Sequence, residues 1–337
     1  MENNEFQPTV SIVIPVRNGE ATIGTLLESL QRVDYDQNKV EVIVVDGSST
    51  DKTREIVAKY PVKLFIEDGE GLNAARNTGI KNSGGEVIAF TDSDCIVPNN
   101  WIRKIVENFG DPQVWCVGGN IKGCGDDFLS RYADNTVMPV MRSFKKRQVL
   151  NMIKLFFNYP AGCNMAFRRK ALEEVGYFDE GLRYGADDLE LVERVGKAGR
   201  KIVLDPSVLV LHKHRSTLKG LLKQTFNYGR GGVLLLKRKK ARDVFSTWHL
   251  LSLLGFVAGL SLIAALIFLT ITTSFQTFPL LLLGIVLTPL LALMAVYASR
   301  TGKGKVYESV IVYPFLDFFR ALTFCVGEVY QLLKSEK

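Results

Sequence analysis

Glu86-Val87-Ile88-Ala89-Phe90-Thr91-Asp92-Ser93-Asp94 decides how this chain is read. Val87 to Thr91 is apolar or β-prone and predicts a buried strand, with a carboxylate pair standing where the strand ends. In open α/β sheets, ligands bind in the crevice beyond the carboxyl ends of the strands. Two carboxylates two residues apart at such an edge suit a hard divalent cation, which in turn neutralises a diphosphate. Alone, an Asp-x-Asp is more often a solvated turn with a helix cap. The sequence around it must carry the decision.

Working outward, strand and helix signals alternate through the first hundred residues. Val10 to Ile14 reads as a strand, and Ala21, Ile23, Leu26, Leu27 and Leu30 mark the apolar stripe of a helix. Glu41 to Val45 is a second strand, followed by a Ser/Thr/Asp cluster able to cap a helix reaching about Lys59. Val62 to Ile66 is a third strand, and Leu72 to Asn82 a helix closed by Ser83-Gly84-Gly85. This alternation predicts an α/β fold with a mostly parallel sheet and right-handed crossovers. Farther on, Trp101 to Phe109 and Glu190 to Ala198 read as helices. Val114 to Gly118, Ile202 to Leu204 and Val208 to Leu211 read as strands. Asp126 to Asn158 reads only as helical or irregular, and Thr217 to Lys240 as a long basic amphipathic helix.

Parallel strands ending at one edge bring three loops together: Pro15-Val16-Arg17-Asn18, Asp46-Gly47-Ser48-Ser49 and Asp92-Ser93-Asp94. Asp46 is placed there to accept hydrogen bonds from a base or ribose, although a lone Asp before Gly-Ser-Ser is more often a turn residue. Arg76, on the helix from Leu72, either reaches phosphate or pairs with a surface carboxylate. Asp187-Asp188, by itself, reads as the acidic start of a helix.

In their order, these motifs resemble family-2 glycosyltransferases of the GT-A fold. The resemblance rests on Val13-Ile14-Pro15-Val16-Arg17-Asn18, Val44-Val45-Asp46-Gly47-Ser48-Ser49, Ala75-Arg76-Asn77-Thr78-Gly79 and Phe90-Thr91-Asp92-Ser93-Asp94. Ala161-Gly162-Cys163-Asn164, Val175-Gly176-Tyr177-Phe178-Asp179 and Asp187-Asp188-Leu189-Glu190-Leu191-Val192-Glu193-Arg194 continue it, so that it covers roughly Val10 to Arg230. Asp187 stands where that family usually has Glu, and Glu190 where it has Asp. Both keep the charge and alter only reach.

The resemblance implies an inverting transfer from a UDP- or GDP-linked sugar. Pro15, Val16, Arg17, Asp46, Arg76 and Asn164 would bind the nucleotide sugar, with Asp92 on the ribose or the metal. Asp94 would hold Mg2+ or Mn2+, with His212 as a further ligand. Asp188, beside Asp187, would be the base that deprotonates an acceptor hydroxyl. A phosphate acceptor would leave it only an orienting role. Tyr228-Gly229-Arg230-Gly231-Gly232 stands where related enzymes place a mobile phosphate-contacting segment, or is a hinge.

Composition places the head. Of 337 residues, none between Phe245 and Ser299 is Asp, Glu, Lys or Arg. About 248–270 and 278–298 are each long enough to cross a hydrocarbon core of about 30 Å. The formal charge of +7 is localised: ten basic side chains and no acidic one lie between His212 and Arg242. Basic residues flanking a span mark its cytoplasmic side, and near anionic headgroups each contributes about 1 kcal/mol. Nucleic-acid binding is the weaker reading of such a cluster beside a membrane span.

Residues 306–333 are apolar but carry Glu308, Asp317, Arg320 and Glu328. A charge at a span's centre costs roughly 2.5–3.5 kcal/mol, which favours an interfacial or re-entrant helix over a third span. Met1 to Thr9 holds no apolar signal core, and five cysteines without Cys-x-x-Cys spacing read as reduced thiols with no zinc site.

The expectation is a cytosolic GT-A head over 1–243, with a nucleotide-sugar half (1–115) and an acceptor half (116–243), followed by an α-helical membrane hairpin in 244–337. Such an enzyme would sit multi-pass in the cytoplasmic membrane. It would act on a polyprenyl-phosphate or polyprenyl-diphosphate-linked acceptor in cell-surface polysaccharide or glycoprotein glycan assembly. Its rivals are a polyprenyl-phosphate monoglycosyl synthase, a processive polysaccharide synthase (though no Gln-x-x-Arg-Trp is present), and an inactive sugar-nucleotide-binding scaffold.

Overall fold

The computed structural model of the chain describes residues 7–138, 141, 143–153, 158–238, 278–300 and 308–334, with scattered positions between 251 and 268. Contacts divide it into two compact units. The first joins Met1–Ser130 to Met141–His214, and the second joins Arg131–Val140 to Arg215–Lys337.

The first unit is built on a nine-stranded sheet with the path β3-β2-β1-β4-β8-β6-β9-β5 and β7 paired to β9. Its strands are β1 (Val10–Val16), β2 (Val40–Asp46), β3 (Lys63–Ile66), β4 (Val87–Phe90), β5 (Cys95–Ile96), β6 (Val114–Gly123), β7 (Gln148–Leu150), β8 (Met165–Arg168) and β9 (Lys201–His212). Among the helices that cover it are α1 (Ile23–Leu30), α2 (Thr53–Val57), α3 (Leu72–Lys81) and α4 (Trp101–Glu107). With α5 spanning Phe128–Asn135, α6 (Arg169–Val175) and α7 (Asp187–Lys197) follow in chain order. Every residue of β1 is buried, as a strand covered on both faces requires. Burying each Val or Ile of that run contributes roughly 1.5–3 kcal/mol.

The sheet is mixed, a correction to the mostly parallel expectation. β1 pairs in parallel with β2 and β4, β2 with β3, and β6 with β9. β8, however, runs antiparallel between β4 and β6, and β5 and β7 run antiparallel to β9. The consequence for the site is direct. Because Met165 of β8 lies opposite Phe90 of β4, the chain enters β8 at the edge where β4 leaves the sheet. The loop Gly162-Cys163-Asn164 therefore arrives beside Asp92.

In the second unit the 20-residue helix α8 (Leu218–Lys237), capped by the Thr217 hydroxyl, packs against the helix Tyr313–Leu333. Their backbones meet at glycines: a Cβ at Gly229 would collide with the Phe324 carbonyl, and one at Gly327 with the Phe226 carbonyl. The Tyr313–Leu333 helix is inverted relative to a soluble one. Asp317, Arg320, Glu328 and Gln331 are buried, whereas Phe315, Phe319, Leu322, Val326, Tyr330 and Leu333 are exposed. Asp317 accepts hydrogen bonds from the hydroxyls of Tyr132, Thr136 and Tyr297, and Arg320 Nη1 lies 3.3 Å from it. Glu308 pairs with Arg131 at 3.1 Å. Asp317, Arg320 and Glu308, which looked expensive in sequence, are thus answered by protein.

Among the described residues, one helix, Glu308–Leu333, is long and apolar enough to cross a membrane. The expected span at 278–298 coincides with the helix Phe278–Arg300, which contains Pro289. The span at 248–270 and the turn after it fall largely outside the described residues.

Candidate active site

β1, β2 and β4 end side by side, with Val16 opposite Asp46 and Val13 opposite Phe90. The loops beyond them are stapled together. Asn18 N donates to Ser49 Oγ (2.8 Å), Thr50 N donates to Asn18 Oδ1 (2.9 Å), and Gly47 N donates to the Val16 carbonyl (2.7 Å). Asn18 and Ser48 reach these positions with φ of 53° and 58°, values uncommon outside glycine. Pro15 and Val16 are buried and Arg17 is exposed. Asp46 is fully buried; its Oδ2 accepts from Ser49 N (3.0 Å), while Oδ1 has no hydrogen-bond partner among the described residues.

A second register sets the metal-ligating candidates. β5 runs antiparallel to β9 with Cys95 opposite His212, and Lys213 N donates to the Asp94 carbonyl (2.9 Å). Asp92, Asp94 and His212 each bring one ligand atom within 4.8 Å of the others. His212 Nε2 lies 3.3 Å from Asp94 Oδ1, and its Nδ1 lies 3.3 Å from Nδ1 of His214. Asp94 Oδ1 is buried yet accepts no hydrogen bond among the described residues. A buried carboxylate oxygen and an imidazole nitrogen turned on one point fit a shared cation. Two carboxylates and an imidazole leave positions for diphosphate oxygens and water on Mg2+ or Mn2+.

The acidic box starts α7, where the helix N-terminus favours negative charge. Gly185 (φ 115°) and Ala186 (φ 66°) turn the chain into it. Asp187 is buried, and Arg76 Nη1 donates to its Oδ2 at 2.5 Å, while Arg76 Nη2 lies 3.6 Å from Asp92 Oδ1. Arg76 is itself buried, stacked 5.1 Å over the Phe178 ring. Burial pushes the Asp187 carboxyl up to about 6, opposed by Arg76 and reinforced by Asp188 and Asp92. On Arg76 burial acts against the charge, but Asp187, Asp92 and Asp188 outweigh it and raise its pKa. Asp188 is half-buried and accepts from Gly162 N (3.2 Å) and Leu189 N (2.8 Å). A Cβ at position 162 would displace the Arg76 guanidinium from its place beside Asp187.

Asp46, Asp92, Asp94, His212, Arg76, Asp187 and Asp188 thus line one connected region of the sheet edge, while Asn164 departs from its expected place. It is fully buried. Its Oδ1 accepts from Trp101 Nε1 (2.9 Å), and its Nδ2 donates to the carbonyls of Asn120 (2.8 Å) and Val208 (3.0 Å). With its amide spent inside the sheet, Asn164 ties β6 to β9 rather than facing a sugar. Two other residues do more than the sequence suggested. Asn73 Nδ2 donates to the carbonyls of Asp179 and Leu182, and Asn77 Nδ2 to the Phe178 carbonyl and Glu180. With Arg76 they form one polar face of α3. Polar residues at i, i+3 and i+4, in a helix whose other residues before Lys81 are small or apolar, were the available signal.

The family model described as Glycosyl transferase family 2 matches residues 11–176. The glycosyltransferase AglE of Haloferax volcanii is 33% identical over 250 residues, covering 71% of this chain and 78% of that protein. A Methanococcus voltae protein, named as a dolichyl N-acetyl-alpha-D-glucosaminyl phosphate 3-beta-D-2,3-diacetamido-2,3-dideoxy-beta-D-glucuronosyltransferase, is 24% identical over 244 residues, covering 68% and 74%. Among solved structures, the mannosyltransferase PcManGT from Pyrobaculum calidifontis, in complex with GDP-Man and Mn2+, superposes with a TM-score of 0.67. It shares 21% identity, over 98% of this chain and 88% of that one. The fold in common is the GT-A arrangement.

Proposed function

Because the chain belongs to glycosyl transferase family 2, we propose that it is an inverting, metal-dependent glycosyltransferase. It would move a sugar from a UDP- or GDP-linked donor to a lipid-linked glycan at the cytoplasmic membrane face. The observation that carries the reading is Arg76: one buried guanidinium ties Asp92, at the end of β4, to Asp187, which precedes the base candidate Asp188.

The nucleoside lies over the ends of β1 and β2, bounded by Pro15, Val16 and Arg17, with Asp46 Oδ1 accepting from ribose or base. Asp94 and His212, with Asp92, hold Mg2+ or Mn2+, which offsets the charge on the departing diphosphate. Asp188 takes the acceptor hydroxyl proton as the new C–O bond forms and the bond to the diphosphate breaks, inverting the anomeric centre. The hydrogen bond from Gly162 N keeps Asp188 aimed at the start of α7. Asp187 and Arg76 position it without touching substrate.

The relatives support the substrate classes: GDP-Man and Mn2+ in the PcManGT complex and a dolichyl-linked acceptor in the name of the Methanococcus voltae protein. For the membrane, the support is the basic stretch before residue 243 and the exposed apolar stripe of Tyr313–Leu333. We place residues 1–243 in the cytosol, with the rest on or in the bilayer. The Glu308–Leu333 helix would lie at the interface, its polar face against protein and its apolar face toward acyl chains.

The test screens UDP- and GDP-sugars with Mn2+ or Mg2+ on detergent-solubilised protein. Acceptors are polyprenyl phosphate, a polyprenyl-linked glycan, or none. Release of nucleoside diphosphate coupled to inverted product on the linked glycan is expected; transfer to bare polyprenyl phosphate alone would make it a monoglycosyl synthase. Asp188→Asn lowers kcat roughly 10²–10⁴-fold with a hydroxyl acceptor, and a full rate would remove Asp188 as the base.

A further inference from the structure

Behind the carboxylate set lies a second group of ligands with different chemistry. Cys95, Cys163 and His212 each place one ligand atom within 4.8 Å of the others, and all three are buried, at 1%, 5% and 4% exposure. Two features of the fold assemble them. The β5–β9 register sets Cys95 opposite His212, and the antiparallel entry of β8 delivers Cys163 two residues before Met165.

The donor atoms decide what such a group can hold. Mg2+ and Mn2+ take oxygen ligands, whereas two sulfurs and an imidazole suit a thiophilic ion. Zinc bonds of about 2.3 Å to sulfur and 2.0–2.1 Å to nitrogen put tetrahedral neighbours roughly 3.3–3.8 Å apart, so small side-chain rotations within the 4.8 Å spacing suffice. A water completes four-coordination. The cysteines are far apart in sequence and lack metal-motif spacing, so this set is visible only in the fold.

We propose that Cys95, Cys163 and His212 form a site for Zn2+ or a similar thiophilic ion, which shuts the enzyme off by taking His212 from the carboxylate set. His212 is common to both ligand groups, and its Nδ1 is turned to His214. Nε2 therefore serves one ion or the other. Zn2+ binds a given site more tightly than Mn2+ does, so it wins the shared imidazole and leaves Asp92 and Asp94 as an incomplete set. Each Zn2+ takes the sulfurs as thiolates, releasing two protons to solvent. The competition rests on the placement of His212 proposed above; the sulfur site itself does not.

The test uses the reduced full chain in detergent, with Cys116, Cys124 and Cys325 replaced by Ala so that thiolate signals report Cys95 and Cys163. Titration with Co2+ is expected to give a thiolate-to-cobalt charge-transfer band saturating at one equivalent. Cys95→Ala and Cys163→Ser should each abolish the band, with folding checked by thermal unfolding. In parallel, the Mn2+ spin-resonance signal follows the carboxylate set. One equivalent of Zn2+ should free bound Mn2+, and Cys95→Ala should raise the Zn2+ required more than 10-fold. Absence of the band on folded protein, or Mn2+ release at unchanged Zn2+ in folded Cys95→Ala, overturns the proposal. A thiolate band on a protein that never binds Mn2+ would keep the sulfur site and discard the competition and the hard-metal reading instead.

Discussion

Asp94 and Asp317 are both carboxylates packed into protein, one in each unit of the chain, and they are treated in opposite ways. Asp317 is fully buried and receives three hydroxyl hydrogen bonds with Arg320 alongside. The Asp94 side chain is 22% exposed, and its one buried oxygen, Oδ1, lies 3.3 Å from His212 Nε2 but accepts no hydrogen bond among the described residues. A chain that surrounds one carboxylate with three hydroxyls and withholds them from another has assigned them different work. Asp317 holds helices together, whereas Asp94 sits beside Asp92 and His212 as the cation ligand proposed above.

Removing each in turn tests that contrast most severely. Asp94→Ala is expected to lower turnover roughly 10³–10⁴-fold, the equivalent of about 4–5 kcal/mol of metal-derived charge stabilisation. Without added metal its unfolding temperature should hold steady, because the partly exposed carboxylate accepts no hydrogen bond through Oδ1 among the described residues. Asp317→Ala should do the reverse. It strands Arg320 in the interior and costs about 3–5 kcal/mol of stability, read as a lower unfolding temperature in detergent. Equal losses of unfolding temperature in the two variants would dissolve the distinction.

The two clusters also differ in how far sequence reveals them. Asp46 and Asp92 are legible because parallel strands end at one edge whatever their partners, and their strands could be read from local composition. Asp317 and Arg320 could be paired from their three-residue helical spacing. Their hydroxyl partners Tyr132, Thr136 and Tyr297 could not, because no periodicity links residues so far apart. The same limit hides Arg76 and Asp187, 111 positions apart. Strand β8 has only four residues, and its antiparallel placement depends entirely on distant neighbours. Ile202 to Leu204 and Val208 to Leu211 read as separate strands because Asp205-Pro206-Ser207 looks like a turn. They belong to one strand, whose pairing with β6 skips from Asp205 to Leu209.

Asn164 offers a finer test. If its amide serves the sheet, Asn164→Ala leaves the Trp101 indole and two carbonyls without partners and costs roughly 2–3 kcal/mol. The donor KM should stay within about twofold at a temperature where the variant is folded. A donor KM raised tenfold with undiminished stability would return Asn164 to the sugar pocket.

The smallest expected effect concerns Asp187, which is neither saturated like Asp317 nor open like Asp94. Burial lifts its carboxyl from 3.8 to about 6 despite the Arg76 pair. Between those values the folded protein retains a proton that the unfolded chain has released. The contribution of Asp187 to stability therefore falls as pH rises from about 4 to about 6 and is level above that. Denaturant unfolding of the wild type and Asp187→Asn across this range isolates it: the difference between the two curves should slope downward and then flatten near pH 6. Turnover runs the other way. Protonation below about 6 weakens the hold on Arg76, so kcat should drop with falling pH more steeply in the wild type than in Asp187→Asn. A stability difference that instead rises through this interval would mean that Arg76 outweighs burial, placing Asp187 with Asp317 as a satisfied structural carboxylate.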